Sequence, residues 1–361
     1  DGDGSLSRPF ADIRTAISAV SGEATVIVVA PGHYDGPHII DGSVAILGAG
    51  VGATVLRNES GPALIAADSP DAEVVLGWLT VEGHSGLVFN GIREIHGLNI
   101  SVSVDRGAAL EFKRVNTGSF IASAFEGSTE VQNTGALVNV QSSGFALFKT
   151  SVSNHSGPGL VVEFQPGDDQ NCQFSPVCPF SNFVYLEDVA IDRVVHRGLD
   201  LRHAAIGLNR VTVTNVTANI SKTALGIHLT QTFGRIWGDT RISSVQGSCM
   251  QTDSARGRSF DLHLENCSAG GLMVDRLESD DPDLIFPKDE WTENELGWSW
   301  PLPNAWSVRP MVFSTRPEPG SNIEFPMSEW FPMSEWFPMS EWIPQGEWFP
   351  MSEWFPMSEW F

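Results

Sequence analysis

The sequence predicts an all-β fold: a solenoid of stacked β-coils behind a short N-terminal helix, followed by a Trp/Pro-rich hexapeptide-repeat tail. Three observations carry this. One short segment, Pro9–Ile17, has apolar residues at helical spacing. Beyond residue 35 that periodicity gives way to short alternating strands separated by Gly, Asn, Asp and Ser. Those strands recur. Gly-led runs begin at Gly86, Gly107, Gly135, Gly159, Gly198 and Gly226, so successive starts lie 21, 28, 24, 39 and 28 residues apart. Several short strands per repeat of about 20–30 residues mark a solenoid, in which no coil buries its inner face alone.

The elements follow in order. Ala24–Ala30 (ATVIVVA) reads as a strand closed by a turn at Pro31–Tyr34. Between the Gly-led runs lies a second strand type, Val184–Ile191 and then Leu208–Asn215. The longest interval holds Cys172 and Cys178, which read as an inserted loop closed by a local disulfide. Cys249 and Cys267 stand 18 apart, suited to neighbouring turns of a coil. Two such pairs favour an oxidising, extracellular or cell-surface location.

The residues Asp3-Gly4-Ser5, Pro9-Phe10, Ile13, Ala16-Ile17 and then Val26 to Tyr34 (VIVVAPGHY) carry a resemblance. They resemble the amino-terminal cap of the pectin-lyase-like superfamily, over about residues 3–275. That resemblance implies a right-handed parallel β-helix. It implies little about activity, because the superfamily holds lyases, hydrolases, epimerases and non-enzymatic surface proteins. Its enzyme signatures (Asn-Thr-Asp, Gly-His-Gly, Trp-Ile-Asp-His, Asp-Pro-His) do not occur in this sequence. Asp168-Asp169 sits beside Pro166 and Gly167 and reads as a turn.

Alternation in the Gly-led strands turns Glu111, Asn139, Glu163, Asp200, Arg202, His228 and Thr230 outward, and a further strand adds Asp261, His263 and Glu265. In register these form one polar column, a place where two carboxylates could act on a glycosidic bond. The plainer reading is a solvated sheet face. No catalytic residue is assigned. The histidines show no metal-ligand spacing. Asp1 and Asp3 offer oxygen donors for a weak Ca2+ contact, but the bidentate Glu of a tight site is missing. Asn58, Asn99, Asn154, Asn215, Asn219 and Asn266 stand in Asn-x-Ser/Thr sequons.

Charge divides the chain. The net charge is −23, a surface that repels nucleic acid and anionic membranes. From Asp280 onward fifteen acids meet three basic residues, so this segment carries −12. The division is therefore 1–280 solenoid, 281–324 connector over the last coil, and 325–361 tail. The tail repeats Phe-Pro-Met-Ser-Glu-Trp and places Trp330, Trp336, Trp342, Trp348, Trp354 and Trp360 six apart. Pro in every hexad forbids a continuous helix. So many large apolar side chains need burial, by stacking on one another, packing on the solenoid or joining other chains, and the favoured outcome is self-association or attachment through the tail. No run is long and apolar enough to span a membrane. The reading is a non-enzymatic surface or secreted protein that assembles with itself. The alternatives are a glycan-active enzyme and a carbohydrate-binding module.

Overall fold

The computed structural model describes residues 4, 7–19, 25–131, 133–164, 183–219, 223–253, 255–259, 262–274, 292–294, 297–300, 306–308 and 311–314. The Cys172–Cys178 loop, Asp1, Asp3, Asp261 and the tail tryptophans lie outside them.

The helix is Ile13–Ala19. Asp12 caps it: the Thr15 backbone N–H donates to Asp12 Oδ1 at 2.6 Å, and the Thr15 hydroxyl donates to Oδ2 at 2.9 Å. Ile13 and Ile17 point from one face into the common core, and the helix packs against strand His38–Ile40.

Behind the helix the chain winds as a parallel β-helix with three ladders. In the first, Leu87 pairs with Leu110, Leu110 with Val138, Val138 with Leu160, Leu160 with Leu199, and Leu199 with Ile227. Met250 and Leu272 continue the row. The Gly-led runs read from the sequence are thus consecutive rungs. The second ladder aligns Phe120, Leu147, Leu186, Leu208 and Ile236. The third aligns Val102, Phe125, Val152, Ile191, Val213, Ile242 and Leu264. All of these side chains are buried except Leu272, whose side chain is not described. They fill the interior as continuous apolar rows. Phe112 is central: its ring meets Phe89 and Phe145 edge-on, at 5.5 and 5.7 Å, and lies tilted at 6.1 Å from Phe120.

Two readings need correction. The Pro31–Tyr34 turn is in part a strand, Gly32–Asp35, because it pairs in parallel with Thr54–Arg57 of the next coil. The second strand type is two strands, Phe183–Glu187 and Ala190–Val195, then Ala205–Asn209 and Thr212–Thr217. The break falls on single residues of positive φ, Asp188 at 53° and Arg210 at 51°. One left-handed residue turns the chain between ladders without a loop. For the same reason Thr54–Val104 runs as one extended element of 51 residues, bent at Asp68, Trp78 and Asn99.

At the far end the parallel order stops. Residues 298–300, 306–308 and 311–314 pair antiparallel with 272–274, 262–264 and 256–259. Cys249 and Cys267 form a disulfide with Cα atoms 5.5 Å apart, joining strands Gly247–Asp253 and Leu262–Cys267.

Phe112→Ala should lower unfolding free energy by about 3–5 kcal/mol, read from urea midpoints, because a solenoid interior cannot collapse around the gap. A smaller loss would show that neighbouring coils repack.

Acid should also weaken the body. His38 and His155 are buried, and burial pushes both imidazoles below their usual range against the hydrogen bonds to Tyr34 O and Gly135 O. Each is neutral when folded and takes up a proton on unfolding. Their contribution is whole above the unfolded value of 6.5 and is lost as pH falls below it. Melting temperature should drop between pH 6.5 and 5, and less so in His155→Gln; equal slopes would exclude His155.

Candidate functional site

Strand Arg197–Arg202 sets up a cluster of charged side chains. Leu199 and Leu201 point inward and are fully buried, so Asp200 between them must face outward. It is nevertheless only 1% exposed. Two arginines and a histidine cover it. Arg202 Nη2 lies 2.7 Å from Oδ2, His228 Nδ1 lies 2.9 Å from Oδ1, and Arg197 forms an ion pair with Oδ2. Burial alone would push the Asp200 carboxyl up. The hydrogen bonds from His228 and Arg202 and the Arg197 charge outweigh it and hold the group well below the carboxylate range.

The cluster spans three coils. Val161, Asp200, His228 and Gln251 form one row, and Glu163, Arg202, Thr230 and Asp253 form the next. Glu163 accepts from Arg202 Nη1 at 3.3 Å, so one guanidinium holds both carboxylates. With Nδ1–H given to Asp200, the Nε2 of His228 is left to accept from the Thr230 hydroxyl at 3.3 Å. A hydroxyl, an imidazole and a carboxylate thus stand in line.

The single column expected from alternation is therefore two rows on the first ladder. Glu111 and Asn139 stand in the row of Asp200, two coils or more away, and Glu111 pairs with Lys113 at 2.7 Å. His263 and Glu265 belong elsewhere. They align with Arg241 and Ser243 on the third ladder, and His263 contacts Asp239 at 3.0 Å. The chain turns two corners between residue 253 and residue 262, so a match in residue type did not mean a match in face.

A second cluster went unread in the sequence. On the second ladder the Tyr185 hydroxyl donates to Glu187 Oε2 at 3.0 Å, Asn209 Nδ2 donates to Oε1 at 3.3 Å, and Arg210 Nε lies 2.6 Å from Asp188 Oδ1. Burial first, then the Glu187 charge, pushes the Tyr185 hydroxyl far up, so it serves as a donor. The available signal was the match of Glu187-Asp188 with Asn209-Arg210, 22 residues on. A shallow groove of about 540 Å³ lies at the corner between the second and third ladders, where Asn99, Ala122, Lys149 and Asp188 line it; it does not reach Asp200.

No protein-family model matches the chain, and no curated protein matches its sequence. Two solved structures are similar. The A-module of mannuronan C-5 epimerase AlgE6 from Azotobacter vinelandii is 12% identical, with a TM-score of 0.37, over 72% of this chain and 91% of that one. ORF18 of Geobacillus virus E2 is 13% identical, with a TM-score of 0.30, over 79% of this chain and 59% of that one. Likenesses this remote carry no functional assignment.

Asp200→Ala should cost about 3 kcal/mol, because Arg197 and Arg202 keep their charge and lose their partner. The folded carboxyl titrates below the unfolded value of 3.8, so its contribution is complete above that and lost as pH falls further. The gap between wild type and variant in urea should hold from pH 7 to about 4 and then narrow. A gap that closes above pH 5 would contradict the pairing.

Proposed function

We propose that this chain is a non-enzymatic, extracellular or cell-surface β-helix of the pectin-lyase-like superfamily. Its body is a rigid rod, and its hexapeptide tail drives self-assembly or attachment. One observation supports this above the others. Asp200, the carboxylate most central to the polar face, has its oxygens taken up by Arg197, Arg202 and His228 and is closed to solvent. A group held this way clamps coils together and has no free lone pair to offer a substrate. The Cys249–Cys267 disulfide favours an oxidising compartment. Among the described residues no helix is long and apolar enough to cross a membrane. Self-association has its support in the sequence: six tryptophans at six-residue spacing, with a Pro and a Glu in each hexad.

A chain ending at Gly320 should keep the body's circular dichroism and melting temperature and lose assembly, seen by sedimentation and electron micrographs. Assembly equal to that of the full chain would overturn the tail's role.

A second reading has its own observation, the line of Thr230, His228 and Asp200 beside two arginines that are each about one-third exposed. In this reading the arginines hold a sugar carboxylate and His228 removes a proton from the ring. Pectin and alginate should yield no unsaturated or reducing ends with the wild type. Release that disappears in His228→Gln would favour the enzyme over the rod.

A further inference from the structure

We infer that Glu73, Glu94 and His96 form a binding site for a divalent transition ion of the Zn2+ class, seated on the second ladder and joining neighbouring coils. The site is separate from the Asp200 cluster and independent of the function proposed above. Glu73 stands just before the rung 74–77, which pairs with Val44–Leu47 of the preceding coil. Glu94 and His96 flank Ile95, which is fully buried, so both project outward from the following rung. One ligating atom from each of the three lies within 4.8 Å of the others. Small side-chain rotations bring such atoms to the roughly 2.0–2.2 Å bonds that zinc makes with imidazole and carboxylate.

The imidazole is held ready. His96 Nδ1 lies 2.8 Å from the hydroxyl of Ser119, a residue on the next coil that is 3% exposed. That contact fixes the ring and turns Nε2 toward Glu94, 3.6 Å away. Metal-bound histidines are held in this way, with the second nitrogen fixed by a hydrogen bond. One imidazole and two carboxylates suit Zn2+ or its neighbours far better than Ca2+, which takes six or more oxygens. Three protein ligands leave a fourth position for water.

Arg93 is the competitor. Its Nη2 lies 3.4 Å from Glu73 and its Nε 3.3 Å from Glu94. The guanidinium neutralises the carboxylates in the absence of an ion. It is 45% exposed and can swing into solvent when one binds. Competition for the same oxygens gives the test two signs.

The experiment uses the full chain, stripped with chelator and titrated with ZnCl2 by calorimetry, with thermal unfolding in parallel and Co2+ absorption as a report on ligand type. Wild type should bind one zinc more per chain than His96→Gln or Glu94→Gln; two variants are used so that misfolding of one is recognised. Saturating zinc should raise the wild-type melting temperature by roughly 3–8 °C. Arg93→Ala should bind several-fold tighter, and Ser119→Ala roughly tenfold weaker. Excess Ca2+ should not displace the ion. Equal zinc content in wild type and His96→Gln, or a melting temperature indifferent to zinc, would overturn the site. So would weaker binding in Arg93→Ala, which would make Arg93 a support of the cluster and not its competitor.

Discussion

Every feature of this molecule depends on coils stacking in register. A single coil leaves the N–H and C=O groups of three strands unpaired and its inner side chains half covered. Only the next coil completes both, and the requirement passes along the chain. The rows from Leu87 to Ile227 and from Phe120 to Ile236 show how it is met. A large apolar residue repeats at the same inward position, and each contributes about 1.5–3 kcal/mol on burial. Removal of one ring, such as Phe112, therefore opens a gap between two coils that are both fixed by their own neighbours.

Register also explains the corners. Trp78, Asn99, Ala122, Lys149, Asp188 and Arg210 all have φ near 50° and mark the same bend in successive coils. A left-handed residue other than Gly costs on the order of 1–3 kcal/mol, and it persists only where its surroundings over-determine it. Here the rungs on both sides of the bend are locked by parallel pairing, so the side chain at the corner is free to vary. Asn and Asp ease the strain where they occur, at Asn99 and Asp188 here and at Asn154, Asn215 and Asn266 on the third ladder. Four of the six sequon asparagines are such corner residues. Their recurrence thus has a backbone cause that needs no glycan.

That freedom decides what could be read from the sequence. The Gly-led runs were legible because each keeps the inward pattern of its rung whatever the spacing. The paired strands across Asp188 and Arg210 were not, because a corner of one residue leaves no Gly or Pro to announce it. The polar face was half legible. Asp200, Arg202, His228, Glu163 and Thr230 do come together, since they lie on rungs that the Gly-led pattern aligns. Glu265 and His263 were misplaced because a variable corner lies between them and the first ladder. The grouping of Glu73, Glu94 and His96 was invisible for the same reason. Their spacing of 21 and 2 residues has no ligand signature until rung 74–77 is known to precede rung 94–98.

Stacking has an electrostatic consequence as well. Opposite charges meet between adjacent coils: Asp35 with Arg57 at 2.6 Å, Asp188 with Arg210 at 2.6 Å, Glu163 with Arg202 at 3.3 Å. Exposed pairs of this kind add at most about 1 kcal/mol each. They do not hold the coils together, but a slip of register would separate these partners, so they disfavour wrong registers. Among the described residues, Arg57, Arg93, Arg114, Arg202 and Arg210 are paired across coils. Before Asp280 there are 29 acids and 18 basic residues, a net −11; after it the charge is −12 on far fewer residues. The body is acidic but paired in part, while each hexad adds a Glu with no basic residue inside the repeat. In the proposed assembly, repulsion between chains falls mainly on the tail, whose aromatics would favour association. It is screened beyond about 8–10 Å at ordinary ionic strength, whereas apolar burial is not. Salt or acid should therefore tip the balance at the tail while leaving the registered core unchanged.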